Sequence, residues 1–227
     1  MHARKPRRRV SRLWWLIVII PVLLVLGVTL ASVFVSNLFP QDVDMIQSRP
    51  VEGDPANFDP IARFDSLQAF AGEGAQLVRF DANFVRSDGT LDLTAAYAPY
   101  VIAEFVIAVD APTDVPIGAG GGGTWYRTVR IDAYQPNQAR RVTGSGGSYS
   151  YINEGMTRDV NTPSVMTPTV LSPPRCSLAT LWQVAVAQGA PADAVATITY
   201  AAEGYAFAIR ETNLQFAFGP DCALRAE

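Results

Sequence analysis

The chain has 227 residues, 49% of them hydrophobic, and a formal net charge of −3. Six of its 18 basic residues lie within the first 12 positions, so 12 basic and 21 acidic residues follow, a net charge of −9. A nucleic-acid-binding surface needs clustered basic residues, and after residue 12 only Arg140 and Arg141 are adjacent. This charge distribution argues against nucleic acid as a partner.

Residues 13–39 are predicted to form a transmembrane anchor. No charged residue occurs from Leu13 to Gln41, and the 23-residue run LWWLIVIIPVLLVLGVTLASVFV is long enough to cross a hydrocarbon core of about 30 Å as a helix. Because basic residues precede the run and acidic residues follow it, residues 1–12 are predicted to be a cytoplasmic tail. The rest then lies outside, in the periplasm or on the cell surface, and the lipid bilayer is a predicted partner. The alternatives are a cleaved signal peptide or a twin-arginine signal, although the apolar core is long for either and TLAS is a poor cleavage site.

Missing residue types restrict the chemistry open to the outer part. His2 is the only histidine and Lys5 the only lysine, and both precede the anchor. Ser-His-Asp and Cys-His nucleophiles, Ser-Lys dyads, Schiff bases and imidazole metal sites are therefore excluded there. We predict a non-catalytic protein without a cofactor or a metal. The 17 arginines against one lysine are typical of a GC-rich bacterial genome.

Residues 40–58 carry three prolines and no sustained period, which predicts an extended tether before a folded domain at 59–227. The next stretch, DPIARFDSLQAFAGEG, predicts a short amphipathic helix with Asp59 as its N-cap and a proline at its first position. Its apolar face is predicted to contain Ile61, Phe64, Leu67 and Phe70 or Ala71.

A β-hairpin is predicted next. Val78, Phe80, Ala82 and Phe84 alternate with polar residues, and SDGT separates them from Leu91, Leu93 and Ala95. Asp88 and Asp92 in this region also suggest a calcium loop, but its remaining oxygen ligands are missing. YVIAEFVIAV, WYRTVRIDAY and the edge candidate QARRVTG are predicted as further strands of an antiparallel sheet.

The run IGAGGGGTW contains Gly118-x-Gly120-x-x-Gly123, the spacing of a dinucleotide-binding fingerprint. That fingerprint works only between a strand and a helix whose N-terminus faces the pyrophosphate. Here the glycines lead into the predicted strand that begins at Trp125. They are interpreted as a flexible connection, and no nucleotide is expected as a partner.

Residues 145–175 are rich in Ser, Thr, Pro and Gly and are predicted to be a long irregular loop. CSLATLWQVAVAQGAP then predicts a second helix, with Ser177 as N-cap and an apolar face of Leu178, Leu181, Trp182 and Ala185. Two strands with a turn near Glu203 and Gly204 follow, and then LQFAF. Helix and hairpin thus occur twice, which suggests either a pseudo-repeat or the chance recurrence of a common pattern.

Cys176 and Cys222 are the only cysteines, and in an oxidising compartment they are predicted to form a disulfide. The alternative is two buried free thiols.

The predicted fold class is α+β: one N-terminal transmembrane helix, then an extracytoplasmic domain of mainly antiparallel sheet with two short helices. The predicted function is to bind or scaffold another membrane or envelope component, as in an accessory subunit of a membrane complex. Trp125, Tyr126, Tyr149 and Tyr151 are the candidate interaction residues, and core packing is the alternative role for the two in the loop. The alternative function is a small-ligand or glycan-binding domain, with Trp125, Tyr126 and Tyr134 forming part of a pocket. A hydrolase built on two carboxylates such as Glu104, Asp110, Asp132 or Glu154 is a further alternative.

Overall fold

The computed structural model describes residues 46–112, 123–144 and 147–225, and it gives side-chain surroundings for all of these except 142–144 and 147. The helices are α1 (Phe64–Ala71) and α2 (Leu178–Ala187), and a 3₁₀ turn covers Pro55–Asn57. The strands are β1 (Gln47–Pro50), β2 (Gln76–Val85), β3 (Tyr100–Val109), β4 (Trp125–Tyr134), β5 (Gln138–Gly144), β6 (Gly147–Asn153), β7 (Gly155–Val160), β8 (Ser164–Val165), β9 (Ala196–Ala201), β10 (Gly204–Ile209) and β11 (Leu214–Phe218).

Nine of these strands form one antiparallel sheet in the order β1-β7-β4-β3-β2-β9-β10-β11, and β8 pairs with the start of β4. The remaining two strands, β5 and β6, pair with each other as a separate two-stranded ribbon. The prediction of a mainly antiparallel sheet with two helices is confirmed.

Both helices pack on the same face of the sheet. Phe64 of α1 lies 6.1 Å from Phe105 of β3 between ring centroids, and Trp182 of α2 lies 4.9 Å from Phe207 of β10. All four side chains belong to one buried cluster. Strand alternation places the large apolar residues of β3, β4, β9 and β10 on this face, which we call the core face.

The apolar side of α1 is as predicted, but the helix begins later. Phe64, Leu67 and Ala71 are buried, and Ile61 and Phe70 pack at the edge of the core. Residues 60–63 form turns, capped by Asp59, whose carboxylate accepts hydrogen bonds from the amides of residues 61 and 62 at 3.0 Å. The predicted cap thus serves this turn, and the helix starts at Phe64.

The second helix matches its prediction closely. The Ser177 hydroxyl accepts a hydrogen bond from the amide of Thr180 at 3.1 Å, which satisfies one of the free donors of the first turn. Leu178, Leu181, Trp182 and Ala185 are its buried residues. The strands β3, β4, β5 and β11 and the turn between β9 and β10 also lie where the sequence predicts them.

The predicted hairpin after α1 is wrong in its second half. β2 pairs with β3 and β9, whereas Leu91 makes only an isolated bridge to Phe58, and Leu91 and Leu93 are buried without forming a strand. Register shifts near both ends of β2 also change which side chains face the core. Leu77 and Val85 are buried there in place of the predicted Val78 and Phe84, because each bulge advances the two-residue alternation by one position.

Two segments that are predicted to be irregular contain strands in the structure. β1 and the buried Phe58 lie within the predicted tether at 40–58. β6, β7 and β8 lie within the predicted loop at 145–175. Both predictions are wrong at these residues. These strands carry few alternating apolar side chains; β1 is an edge strand of the large sheet, and β6 belongs to the separate two-stranded ribbon.

Cys176 and Cys222 form the predicted disulfide, with a Cα–Cα distance of 5.7 Å. Cys176 is buried just before α2, and Cys222 follows β11. The bridge therefore holds the end of the sheet against the second helix.

The predicted anchor at 13–39 and most of the glycine run lie outside the described residues. Within the described part of the chain, no helix is long and apolar enough to cross a membrane.

Candidate binding site

The face of the sheet opposite the helices is polar, and we call it the polar face. Strand pairing aligns Arg79, Glu104, Arg130 and Asp159 across β2, β3, β4 and β7, so that opposite charges alternate along one row. The side chains of Arg79 and Arg130 are 57% and 43% exposed, so this row meets solvent. The sheet therefore presents charged groups in fixed positions on a rigid support.

The next row across the polar face contains Thr199, Asp81, Ile102, Asp132 and Thr157. The Thr199 hydroxyl donates to the Asp81 carboxylate at 2.7 Å, and Asp81 also pairs with Arg79 at 2.6 Å. Both bonds satisfy Asp81, which is buried. The polar groups of Thr199 and Asp81 are therefore already paired within the protein.

A cavity of about 490 Å³ lies at the other end of the polar face, over β3, β4 and β7. The ribbon β5–β6 forms one of its walls. Its volume falls within the roughly 300–1,000 Å³ typical of small-molecule sites. The lining side chains with polar groups include Tyr100, Arg130, Asp132, Tyr134, Tyr151 and Asp159.

An ion pair forms the floor of this cavity. The Arg130 guanidinium donates from Nε to Oδ1 of Asp132 at 2.8 Å, and the Asp132 side chain is 24% exposed. Burial raises the pKa of Asp132; Arg130 opposes this shift, whereas the nearby charges of Asp159 and Glu104 add to it. The site thus holds a carboxylate whose ionised form is disfavoured despite its arginine partner.

Tyrosines form the wall beside the ribbon. The hydroxyls of Tyr134 and Tyr151 are 2.9 Å apart and hydrogen-bonded, and the Arg140 guanidinium lies 4.6 Å above the centroid of the Tyr134 ring. Burial, and then the hydrogen bond with Tyr134, raises the pKa of Tyr151. The Tyr151 phenol therefore stays protonated at neutral pH. Each of the two hydroxyls can donate or accept hydrogen bonds.

A buried asparagine positions the ribbon against the sheet. Asn153 is fully buried, and its side-chain amide donates to the carbonyl of Gln135 at 2.6 Å and accepts from the amide of Gly155 at 3.0 Å. These bonds fix the junctions of β4 with β5 and of β6 with β7. Ile46 also contacts the ribbon, since its amide donates to the Tyr149 hydroxyl at 3.0 Å.

No protein-family model, curated protein or solved structure matches this chain.

The structure brings some of the predicted site residues together and separates others. Tyr151 lines the cavity, and the Tyr149 ring lies 6.3 Å from it between centroids. Trp125 and Tyr126 lie at the opposite end of β4, where they pair with β8. Trp125 and Tyr134 are the two ends of β4, roughly 30 Å apart, so the two cannot share one small pocket as the alternative function predicts. Their role in interaction stays a prediction.

The carboxylates considered for hydrolysis are also dispersed. Asp132 lines the cavity and Glu104 lies beside it on the next strand, whereas Asp110 and Glu154 are exposed outside the cavity. Asp88 and Asp92, the calcium candidates, each accept hydrogen bonds from the threonine two residues later. Within the described residues, no three His, Cys, Asp or Glu side chains are placed to hold a metal ion.

Sequence reasoning missed Tyr100, Arg130, Arg140 and Asp159 as members of the site. The alternation in WYRTVRIDAY could have placed Arg130, Asp132 and Tyr134 on one face of β4. The sequence carried no signal for the neighbouring strands, because β7 lies inside the predicted loop.

Proposed function

We propose that this chain is a non-catalytic, membrane-anchored domain that binds another component of the cell envelope through the polar face of its sheet. One observation carries the proposal. The sheet uses one face to pack both helices, while the other keeps paired charges, tyrosines and a cavity in contact with solvent. Polar groups converging in a concave site are typical of binding surfaces.

The membrane-bound part of the proposal comes from the sequence. An uncharged run of 23 residues follows six basic residues, which favours a single-pass anchor with its N-terminus in the cytoplasm. The disulfide between Cys176 and Cys222 supports an outer location for the domain, because such bonds persist in oxidising compartments. The acidic surplus after residue 12 argues against nucleic acid as the bound component.

A binding role fits the available side chains better than catalysis does. The chain has no histidine or lysine after residue 5. Asp132, the carboxylate in the cavity, is hydrogen-bonded to Arg130. A retaining or inverting hydrolase needs a second carboxyl group about 5–9.5 Å away on the other side of a scissile bond. Asp159 is the other lining carboxylate, and it is exposed on the edge-proximal strand β7.

The twofold recurrence of helix and strands adds a proposal about how the fold arose. Phe64, Leu67 and Ala71 of α1 have the same spacing as the buried Leu178, Leu181 and Ala185 of α2. Each helix is followed by strands that pair antiparallel, and the first strands of the two sets, β2 and β9, are neighbours. We interpret this order as a pseudo-repeat.

Site-specific photo-crosslinking tests the proposed function in the native membrane. The full chain carries p-benzoyl-phenylalanine in place of Tyr100, which is 36% exposed at the cavity. A matched version carries it in place of Val186, which is 39% exposed on α2. After irradiation the protein is extracted in mild detergent, and mass spectrometry identifies both crosslinked and co-purifying components.

Crosslinking of one defined envelope component from position 100 and not from position 186 is the expected result. Equal labelling from both positions, or a protein that is extracted alone and uncrosslinked, would contradict binding through the polar face. Capture of a component only from position 186 would indicate that the interaction involves the helices and not the polar face.

A further inference from the structure

We propose that the cavity of the polar face binds a neutral saccharide, through Tyr100, Arg130, Asp132 and the Tyr134–Tyr151 pair. This inference rests on the proposed function, because it names the chemistry of the component bound at the same face.

The charges of the lining nearly balance. Arg130 and Asp132 neutralise each other at 2.8 Å, and the Asp159 carboxylate lies opposite Arg130 on the next strand. Arg140 lies over the Tyr134 ring, and Arg141 donates to the Ser148 hydroxyl. An anionic ligand would meet Asp132 and Asp159, and a cationic one would meet the arginines. An uncharged ligand avoids both repulsions.

The hydrogen-bonding groups suit hydroxyl-rich ligands. Arginine side chains only donate and ionised carboxylates only accept, whereas the phenols of Tyr134 and Tyr151 and the hydroxyl of Thr157 do both. A sugar presents hydroxyl groups that donate and accept at the same time, often on neighbouring carbons. Such a pair can bridge the carboxylate of Asp132 and the guanidinium of Arg130, as bidentate contacts do in other sites.

An aromatic ring supplies the apolar contact that a sugar ring needs. Tyr100 lies opposite Tyr134 in the β3–β4 pairing, and this residue is 36% exposed and lines the cavity. The C–H groups on one side of a pyranose are apolar and can cover such a ring. Ile102 lies opposite Asp132 in the β3–β4 pairing and two positions from Tyr100, so the apolar and polar contacts are adjacent.

Other classes of ligand fit less well. Ile46, Ala98 and Ile102 are the aliphatic side chains of the lining, too few to bury a lipid chain. A peptide that extends a sheet would need a free strand edge, and the cavity lies over the start of β3 and the end of β4, two strands that are each paired on both sides.

Titration of the full-length protein with small probes tests the proposal. The protein is kept in a polyoxyethylene detergent, since detergents with sugar headgroups would compete for the site. The neutral probes are cellobiose, maltose and N,N′-diacetylchitobiose. Glucosamine and glucuronic acid serve as the cationic and anionic probes. Isothermal titration calorimetry and saturation-transfer NMR report binding.

Saturable binding of at least one neutral probe, tighter than either charged probe, is expected. Tyr100→Ala should weaken it about tenfold, the effect of one lost aromatic contact, and Asp132→Asn about tenfold or more. Asp65→Asn is the matched carboxylate control, because Asp65 is exposed on α1 and α1 packs on the opposite face; it should leave affinity unchanged. Circular dichroism confirms that each variant is folded, and Arg140→Ala replaces any variant that is not.

Absence of binding by every neutral probe, or preference for a charged one, would overturn the saccharide assignment. If photo-crosslinking from position 100 still captured a specific protein, the proposed function would stand and only the ligand class would fall. If neither crosslinking nor titration gave a signal, both proposals would fall.

Discussion

The two faces of this sheet are made by the same strands and differ in nearly every physical respect. On β3, Val101, Ala103 and Phe105 are completely buried under the helices, while Ile102 and Glu104 between them are half-buried on the polar face. The core face thus contributes the apolar burial that stabilises the fold. The polar face contributes little burial and retains side chains that a soluble sheet would not need at fixed positions.

Folding alone constrains the core face of this sheet more strongly than the polar face. A sheet covered on one side is stable without a particular set of residues on the other side, since exposed substitutions usually change stability by less than about 0.5 kcal/mol. An ordered row of alternating charges and a cavity lined by three tyrosines therefore call for a functional explanation. If the two faces separate stability from binding, substitutions on the core face should change stability and substitutions on the polar face should change binding.

The largest contrast is expected between two adjacent residues of β3. Phe105→Ala removes a completely buried ring that packs against Phe64 and should lower the free energy of unfolding by about 3–5 kcal/mol. Glu104→Ala, one position away on the polar face, should change it by less than about 0.5 kcal/mol. Denaturant titration of the detergent-solubilised protein, followed by circular dichroism, measures both. Similar losses for the two variants would mean that the polar face is also structural.

The same contrast explains how much the sequence could predict. The buried residues of α2 repeat at helical spacing and those of β3 at strand spacing, because a single local environment dictates each pattern. The register shifts near both ends of β2 could not be predicted, because a bulge depends on the partner strand and produces no periodic pattern in the sequence.

The candidate site was mostly beyond sequence reasoning for a related reason. Its residues come from β3, β4, β7 and the ribbon, and nothing in one sequence says that these strands are neighbours. Tyr151 was found only as an aromatic residue in a supposed loop. The strands β6 and β7 lack the apolar alternation by which a strand is recognised. In β6, exposed side chains alternate with half-buried ones from residue 148 to 152, and the buried residues at the start of β7 include Gly155 and Thr157.

The second-largest effect is expected for the disulfide, which joins the residue Cys176 before α2 to Cys222 after β11. Cys176→Ala combined with Cys222→Ala should lower the free energy of unfolding by about 3–4 kcal/mol, because the bridge closes a loop of 46 residues in the unfolded chain. Thermal unfolding with and without reductant measures this. Reductant should destabilise the natural protein and leave the variant unchanged. A natural protein indifferent to complete reduction would contradict the prediction.

An intermediate effect is expected where the ribbon joins the sheet. Asn153→Ala leaves the amide of Gly155 and the carbonyl of Gln135 without their buried partner and should cost about 1–3 kcal/mol. The variant should also lose saccharide binding, because Tyr151 and Arg140 would no longer be held over β4. Ser150→Ala, on the exposed side of the same ribbon, is the control and should alter neither property. Retention of full affinity by Asn153→Ala would show that the ribbon wall does not contribute to the site.

The smallest effect, and the most diagnostic for the polar face, is the pH dependence of the change in stability caused by Asp132→Asn. The pKa of Asp132 is raised in the folded protein, so the folded state holds this proton more tightly than the unfolded state, whose value is near 3.8. Stability from this group is therefore present at low pH and is lost as pH rises from the unfolded value through the folded one. The asparagine keeps the shape and an acceptor for Arg130 but cannot ionise.

The melting temperature of the variant minus that of the natural protein should consequently become more positive between pH 3.5 and pH 7. Comparing the two proteins at each pH removes the contribution of every other titrating group that the substitution leaves unperturbed. A difference that falls over this range would mean that the charged pair with Arg130 stabilises the fold. The expected rise would mean that the molecule keeps an ionised carboxylate in its cavity at some expense of stability, which is what a polar binding site requires and a structural ion pair does not.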